Sequence, residues 1–200
     1  MSTPLIDMNA NPFDLFSRWL KEAETYEPND PNAMSVATAD SRGRPSVRTL
    51  LLKGFDQRGF VFYTNTLSRK GQELAENPYA ALLFYWKSLH RQIRIEGKVV
   101  PVSAEEADAY FATRSRISRI GALASEQSHP LADRAILEQK VQELEKHYPG
   151  DIIPRPDNWS GYRVIPNHIE FWQDRPYRLH DRAVWTLSSQ GTWSVTRLYP

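Results

Sequence analysis

The run from Met34 to Thr64, MSVATADSRGRPSVRTLLLKGFDQRGFVFYT, decides the fold class. It contains three β-like segments that are separated by two glycine-containing turns. Glycine accommodates the positive φ angles that such turns favour, so the pattern predicts consecutive antiparallel strands joined by hairpins. The predicted strands are Met34–Ala39, Ser46–Lys53 and Phe60–Thr64, and the predicted turns are Asp40–Arg44 and Asp56–Gly59.

Further strands are predicted on both sides of a helical region. Six or more strands in hairpin order, with helices inserted, predict a mainly β fold with helices, arranged as an antiparallel barrel. No linker or repeat divides the chain, so we expect one domain over residues 1–200. The other predicted strands are Tyr79–Trp86, Gln92–Val102, Gly161–Ile165, Ile169–Gln173, Arg182–Leu187 and Trp193–Leu198.

Helix signals occur at three places. Asn11 followed by Pro12 predicts a capped helix start, and the apolar spacing continues that helix over about residues 12–26. A short helix is predicted over Gly71–Glu76. The capping box Ser103-Ala-Glu-Glu106 opens a helical insertion that spans about residues 103–148.

Composition narrows the possible functions. There are 25 Lys and Arg residues against 24 Asp and Glu residues, a balance that argues against a nucleic-acid or membrane-surface protein. The absence of cysteine excludes a thiolate nucleophile and a cysteine-bound metal. The sequence has no G-x-G or G-K-[ST] motif, and its histidines show no metal-ligand spacing, so no metal is predicted. No secretory signal or spanning segment is recognisable, and we expect a cytoplasmic protein.

Basic residues near predicted strand and helix ends are the first indication of chemistry. Ser68, Arg69 and Lys70 precede a predicted helix, where free backbone amides and two cations favour a phosphate. Arg48 and Lys53 lie five residues apart on a predicted strand and therefore point to opposite faces. They can share a ligand only near a strand end or a bulge. The alternative is two solvated surface clusters.

Two more patterns suggest an anionic ligand. Tyr110, Arg114 and Ser118 lie on one face of a helix, provided that the helix extends so far, and could hold a small phosphate. The alternative is a core tyrosine beside a surface arginine. Arg178, His180 and Arg182 alternate along a predicted strand and would face one side together. Such a cationic face is costly without an anion or carboxylates, which favours a ligand there.

Seven segments in order resemble the pyridoxine (pyridoxamine) 5′-phosphate oxidase family. The resemblance covers the chain from about Asn11 to Pro200, and its last two segments are the most specific. These segments are Arg48–Lys53, Phe62–Asn65 with Ser68–Lys70, Trp86–Leu89 with Arg91–Gln92, Tyr110–Arg114, Ser125–Ser128, Glu170–Gln173 and Arg178–Arg182.

The resemblance implies an FMN-binding split β-barrel that works as a homodimer with FMN at the subunit interface. The implied catalytic residues are Arg178 and His180. The implied FMN-binding residues are Arg48, Thr49, Leu50, Leu51, Leu52, Lys53, Tyr63, Thr64, Arg69, Lys70, Gln92, Gln127, Ser128, Trp172 and Arg182. The implied substrate-binding residues are Lys53, Tyr110, Arg114, Ser118, Arg178, Leu179 and His180.

The implied reaction oxidises pyridoxamine 5′-phosphate and pyridoxine 5′-phosphate to pyridoxal 5′-phosphate, in vitamin B6 biosynthesis or salvage. Hydride passes to FMN, and molecular oxygen reoxidises the flavin and gives hydrogen peroxide. Two departures are visible: no Arg- and Tyr-bearing arm precedes Asn11, and Ser115 stands where the family usually has proline. The alternatives are a related split-barrel oxidase on another substrate, as in phenazine biosynthesis, and a non-catalytic module that binds pyridoxal phosphate or nucleic acid.

Overall fold

The computed structural model describes residues 5–200, and in them nine antiparallel strands form one sheet that curls into a half-barrel. The mainly β prediction is therefore confirmed. The helices are α1 Pro12–Tyr26, α2 Arg69–Glu76, α3 Ala104–Thr113, α4 Arg116–Ala124 and α5 Arg134–His147. The strands are β1 Ala33–Ala39, β2 Pro45–Leu51, β3 Gly54–Asp56, β4 Gly59–Asn65, β5 Tyr79–Trp86, β6 Arg91–Pro101, β7 Trp159–Gln173, β8 Asp181–Leu187 and β9 Trp193–Leu198.

The fifteen-residue strand β7 organises the sheet, whose main order is β2-β1-β5-β6-β7-β4-β3. Strand β6 pairs along the length of β7, whereas β4 pairs with its first part and β8 with its last part. The prediction of two separate strands here, Gly161–Ile165 and Ile169–Gln173, is wrong. The ladder continues through a bulge, where Gly97 pairs with Pro166 and Glu96 with His168. A bulge tolerates the missing N–H of proline, which explains why Pro166 does not end the strand.

Helix α1 closes one side of the half-barrel and is confirmed as predicted. The side chain of Asn11 accepts a hydrogen bond of 2.9 Å from the N–H of Phe13, and Pro12 occupies the first turn. The ring of Phe16 is fully buried and meets Phe60 edge-on, with 4.9 Å between their centroids. The apolar face of the helix thus completes the main core.

Helices α3, α4 and α5 lie between β6 and β7 in the chain and form a second, smaller core. Its buried residues are Phe111, Ile120, Ile153 and Trp159, and helix α5 contributes only partly buried side chains. This small core supports one wall of the cavity described below. Among residues 5–200, no helix is long and apolar enough to cross a membrane.

Candidate active site

A cavity of about 390 Å³ lies between strand β4, the junction of α3 and α4, and the loop after α4. Six of the predicted site residues line it, contributed by four separate parts of the chain. The lining comprises Leu50, Tyr63, Thr64, Asn65, Arg114, Ser118, Gly121, Ala122, Ser125, Gln127 and Trp159.

The start of helix α2 presents a cationic site behind this cavity. Lys70 is 6% exposed, and its ammonium donates hydrogen bonds to Thr64 Oγ1 (2.9 Å), Ser68 Oγ (3.0 Å) and Gln127 Oε1 (3.2 Å). The Ser68 hydroxyl donates to the carbonyl of Asn65 and makes no cap to the helix. The first-turn amides of α2 therefore keep no side-chain cap, which suits an anion.

Two arginines flank Lys70 and share one buried carboxylate. Arg48 Nη2 lies 3.4 Å from Glu73 Oε2, and Arg69 Nε lies 2.9 Å from Glu73 Oε1. Arg48 Nη1 also donates to the carbonyl of Val36 (3.1 Å) and to Thr38 Oγ1 (2.6 Å). The guanidinium of Arg48 is thereby fixed between strand β1 and helix α2.

Burial and neighbouring charges in this cluster shift the pKa values of both Lys70 and Glu73. Burial, followed by the nearby charge of Arg48, lowers the pKa of Lys70 to about 8, while Glu73 opposes this effect. Burial alone would raise the pKa of Glu73. Hydrogen bonds from Ser46, Thr38 and Arg69, with the charge of Arg48, lower that pKa to about 2. Glu73 is thus ionised, and part of the Lys70 population is neutral in mildly alkaline solution.

Arg114 carries a half-buried charge, and no carboxylate of residues 5–200 pairs with it. Its guanidinium lies 4.9 Å from the ring centroid of Trp159, and burial lowers its pKa. Within residues 5–200, Nη1 of Arg114 is buried without a hydrogen-bond partner, and no carboxylate forms an ion pair with this side chain. Removing an unpaired cation from water is costly, and an anion bound at Nη1 would lower that cost.

The expectation that Tyr110, Arg114 and Ser118 share one helical face is wrong. Helix α3 ends at Thr113, Arg114 is its C-cap residue, and Ser115 is the N-cap of helix α4. The break nevertheless directs Arg114 and Ser118 into the same cavity. Tyr110 approaches from α3 and stacks on Tyr63, with 4.0 Å between the ring centroids.

The segment from Arg48 to Lys53 is only partly a strand. Strand β2 ends at Leu51, not at Lys53, and β3 begins at Gly54. The irregularity that Gly54 allows is therefore present, and the chain leaves the ladder between the two cations. Of the predicted residues in this run, Thr49 and Lys53 are exposed, Arg48, Leu50 and Leu51 are half-buried, and Leu52 is buried.

Three other predicted FMN residues form a separate row across the sheet. Gln92 pairs with Trp172, and Trp172 pairs with Arg182, on the adjacent strands β6, β7 and β8. They line another cavity, of about 240 Å³. Arg182 Nε donates to Glu170 Oε1 at 2.7 Å, and this hydrogen bond raises the pKa of Arg182.

The two groups of predicted FMN residues are associated with two different cavities of the chain. Tyr63 pairs with Gly161 of strand β7, and Gly161 precedes Trp172 by eleven positions along that strand. Eleven residues of strand extend roughly 36 Å along the chain. Leu50, Tyr63, Thr64 and Gln127 of the first group line the cavity beside α4, and the second group lines the cavity beside Arg182.

Arg178, His180 and Arg182 do not alternate on one strand, so that prediction is wrong. Arg178 ends a short 3₁₀ turn, Pro176–Arg178, and only Arg182 belongs to β8. Tyr177 and Arg178 have φ angles of 59° and 61°, a left-handed conformation that costs energy for residues with a Cβ atom. The turn leaves Arg178 and Leu179 exposed.

His180 is held more firmly than its neighbours in the turn. Its Nδ1 lies 2.8 Å from Asp174 Oδ1, and its ring centroid lies 4.7 Å from that of Trp172. His180 therefore belongs with the Trp172 row and not with the cavity that holds Arg114.

Sequence reasoning missed Glu73, Trp159 and Asp174, although each contacts a predicted site residue. Glu73 follows Arg69 by four residues in a helix, a spacing that places both on one face and could have indicated the pair. Trp159 and Asp174 reach their partners only through the fold, so no local signal marks them.

The fold and the site together define a split-barrel protein whose cavity is arranged for anionic ligands. A family model described as "Pyridoxamine 5'-phosphate oxidase" matches residues 20–148, and one described as "Pyridoxine 5'-phosphate oxidase C-terminal dimerisation region" matches residues 159–200. The chain belongs to the pyridoxamine 5′-phosphate oxidase family.

Individual relatives agree with this assignment. A pyridoxine/pyridoxamine 5′-phosphate oxidase of Gluconobacter oxydans is 67% identical over 197 residues, covering 98% of each chain. One of Granulibacter bethesdensis is 58% identical and covers 95% of this chain and 91% of its own length. Among solved structures, PhzG from Burkholderia lata 383, in complex with tetrahydrophenazine-1-carboxylic acid, is 37% identical with a TM-score of 0.90, covering 95% of this chain and 93% of that one.

Proposed function

We propose that the protein is an FMN-dependent oxidase that converts pyridoxamine 5′-phosphate and pyridoxine 5′-phosphate to pyridoxal 5′-phosphate. Membership of the family makes it an oxidoreductase with FMN as cofactor. The observation that carries the choice of a phosphorylated substrate is the half-buried guanidinium of Arg114 in the cavity, whose Nη1 atom is buried and has no hydrogen-bond partner within residues 5–200. The cytoplasmic location stays a prediction from the sequence.

The residues at the start of helix α2 fit the phosphate of FMN. Arg48, Arg69 and Lys70 supply three positive charges, and the uncapped amides of α2 supply further donors. When bound, FMN accepts a hydride from the substrate and passes the electrons on to molecular oxygen. The protein contributes to the rate because it holds the cofactor and the substrate close together in a suitable orientation.

A second phosphate, that of the substrate, would complete the Arg114 region. The anion supplies the missing counter-charge of Arg114, and the Ser118 hydroxyl lies in the same cavity as a further donor. Tyr110 is fixed beside them by its stack on Tyr63. Lys53 is exposed between strands β2 and β3 and would contribute as the substrate enters.

The chain carries a dimerisation region and forms a homodimer. We propose that FMN lies at the subunit interface, because Trp172, the partner of Gln92 and Arg182, lies eleven positions along strand β7 from Gly161, the partner of Tyr63. A second copy would bring this row against the α2 site of its partner. Arg178 and His180 would then reach the substrate from the same second copy, orienting it without forming a covalent bond to it.

The match to PhzG supports a second candidate, an oxidase of the phenazine type. That structure holds a tricyclic carboxylic acid and resembles this chain over nearly its whole length. Arg114 favours the phosphorylated substrate, since a dianion compensates a buried cation more fully than a carboxylate does.

The test is a visible spectrum of the purified protein before and after anaerobic addition of pyridoxamine 5′-phosphate. We expect an oxidised flavin band that bleaches with substrate and returns when air is admitted. Bleaching only by a dihydro- or tetrahydrophenazine carboxylate would support the second candidate. A protein that takes up no added FMN would overturn the cofactor assignment and leave a non-catalytic binding module.

A further inference from the structure

We propose that Glu73 is a positioning residue for the cofactor phosphate: its buried carboxylate holds Arg48 and Arg69 in place and is the counter-charge of Lys70. This inference rests on the proposed function, because it takes the three cations to be the FMN-phosphate site. The family resemblance assigns those cations but assigns no role to Glu73.

The contacts of Glu73 leave its carboxylate fully engaged. Oε1 accepts from Arg69 at 2.9 Å, and Oε2 accepts from Ser46 at 2.6 Å and also from Thr38. Arg48 approaches the same Oε2 atom at 3.4 Å. The side chain of Glu73 is 6% exposed, so the carboxylate lies beneath the cations and does not face the ligand.

Glu73 also connects three elements of the site. Thr38 belongs to β1, Ser46 and Arg48 belong to β2, and Arg69 shares helix α2 with Glu73. Holding two arginines on one carboxylate restricts their rotamers before the ligand arrives, and this lowers the entropy that binding must remove. The positions of Arg48 and Arg69 therefore depend on one buried group.

The net charge of the cluster matches its ligand. Arg48, Arg69 and Lys70 carry three positive charges, and Glu73 removes one, which leaves two. A phosphate monoester carries about −1.5 to −2 near neutral pH. Without Glu73, three neighbouring cations would repel one another, and the most buried of them, Lys70, could relieve the repulsion by losing its proton.

The surroundings of Lys70 make this proton sensitive to Glu73. The charged groups that act on Lys70 are Arg48 from β2 and Glu73 on its own helix. The other groups at its ammonium are neutral: Thr64 from β4, Ser68, and Gln127 from the loop after α4. Glu73 thus raises the pKa of Lys70, against the lowering by burial and by Arg48.

The experiment measures the Kd of FMN for the FMN-stripped full-length protein at pH 7.0 and 8.5, by quenching of flavin fluorescence. FMN phosphate stays dianionic across this range, since its second pKa is about 6. With the pKa of Lys70 at about 8, we expect Kd to rise about fourfold in the parent protein. In Glu73→Gln we expect a rise of about tenfold or more, because Lys70 deprotonates at a lower pH.

Matched variants separate this effect from a loss of structure. Glu76→Gln removes an exposed carboxylate from the same helix and should behave like the parent. Adding Lys70→Arg to Glu73→Gln replaces the titrating group with one that stays charged, so the steep rise should vanish. If Glu73→Gln does not fold, Glu73→Asp serves instead: we expect weaker binding at both pH values with the fourfold ratio retained.

Two outcomes would overturn the inference and can be told apart from failure of the proposed function. If the parent binds FMN and Glu73→Gln binds it with the same Kd and the same pH ratio, Glu73 does not position the site. Parent-like binding by Glu73→Asp, where Glu73→Gln is unfolded, has the same meaning. A parent protein that binds no FMN at either pH would overturn the cofactor assignment itself, and the inference with it.

Discussion

At the residue scale, the guanidinium of Arg114 combines burial with the lack of a counter-charge. Its Nη1 atom is buried without a partner within residues 5–200, and burial lowers its pKa. Such an arrangement costs stability in the free protein and is compensated when an anion binds. Under the proposed function, relief of this cost contributes to the free energy of substrate binding.

Arg114→Met should weaken substrate binding without destabilising the substrate-free protein. We expect KM for pyridoxamine 5′-phosphate to rise by about 10- to 100-fold, because a hydrogen bond to a charged group contributes about 1.5–3 kcal/mol. The Tm of the substrate-free protein should stay the same or rise, since the unpaired charge is gone. Steady-state kinetics and thermal unfolding measure both. Arg134→Met, at an exposed position of α5, is the control, and a parent-like KM in Arg114→Met would contradict the assignment.

Glu73 should also make the free energy of unfolding depend on pH in the acidic range. Its folded pKa of about 2 lies below the value of about 4.3 for an unfolded glutamate, so its contribution is present above pH 4.3 and is lost as the pH falls toward 2. We expect Glu73→Gln to lower the free energy of unfolding by about 2 kcal/mol at pH 7 and by about half as much at pH 3. Urea unfolding at both pH values tests this, and a pH-independent difference would argue against it.

At the element scale, the break between α3 and α4 determines where the phosphate-binding side chains point. Arg114 has ψ 148°, an extended value, and Ser115 follows with φ −56°. Both values suit the family's usual proline at position 115, which requires φ near −65° and an extended preceding residue. Ser115 therefore has a backbone conformation that proline can also adopt, and its hydroxyl lies 2.7 Å from that of Ser118.

Ser115→Pro should stabilise the protein. A proline at a compatible position contributes about 0.4–1 kcal/mol by restricting the unfolded chain, so we expect Tm to rise by about 1–3 °C. Ser115→Ala also removes the contact with Ser118 but leaves the backbone free, and it is the matched control. Thermal unfolding of both variants decides, and a Tm for Ser115→Pro below that of Ser115→Ala would show that the turn cannot accept proline.

Local patterns predicted the elements whose ends carry their own signals. Asn11 and Pro12 predict the start of α1, and the apolar run Tyr79–Trp86 has the same bounds as β5. Strand β7 was predicted as two pieces because Pro166 interrupts its pattern, and only pairing with β6 through a bulge shows that the strand continues. The turn at Tyr177 and Arg178 was missed because nothing in their residue types favours a left-handed backbone.

The site was predictable only in part, for a similar reason. Lys70 and Arg69 stand at a helix start that the sequence reveals, so their chemistry could be proposed from spacing. The assignment of Gln92, Trp172 and Arg182 came from family resemblance, since strand order brings them into one row and no local pattern does. Contacts such as that of His180 Nδ1 with Asp174 Oδ1 depend on how the chain folds back, so no local pattern predicts them.

At the scale of the whole molecule, the proposed function has the two groups of predicted FMN residues form sites shared between subunits. A two-fold dimer has two equivalent sites, each taking the α2 group from one chain and the Trp172 row from the other. Mutations in the two groups should therefore complement each other when they reside on different chains.

Mixing Lys70→Met and Arg182→Met chains tests this arrangement. Random association makes about half of the dimers mixed, each with one intact site, so about a quarter of all sites should regain FMN. Flavin absorbance per chain after refolding and desalting measures the recovery, with each variant refolded alone as the control. No recovery above the separate variants would place both groups of residues in one subunit's site.

Because β6 pairs with β7, the segment between these two strands can be replaced without breaking the sheet. Pro101 at the end of β6 lies opposite Tyr162 near the start of β7, so residues 102–158 form, in topology, one long hairpin loop. The entropy of closing a loop grows only slowly with its length, which makes such an insertion tolerant of replacement. Arg114 and Ser118 lie inside this cassette, whereas Arg48 and Lys70 lie in the barrel. Under the proposed function, the part of the substrate site that holds Arg114 and Ser118 can therefore vary while the barrel stays constant.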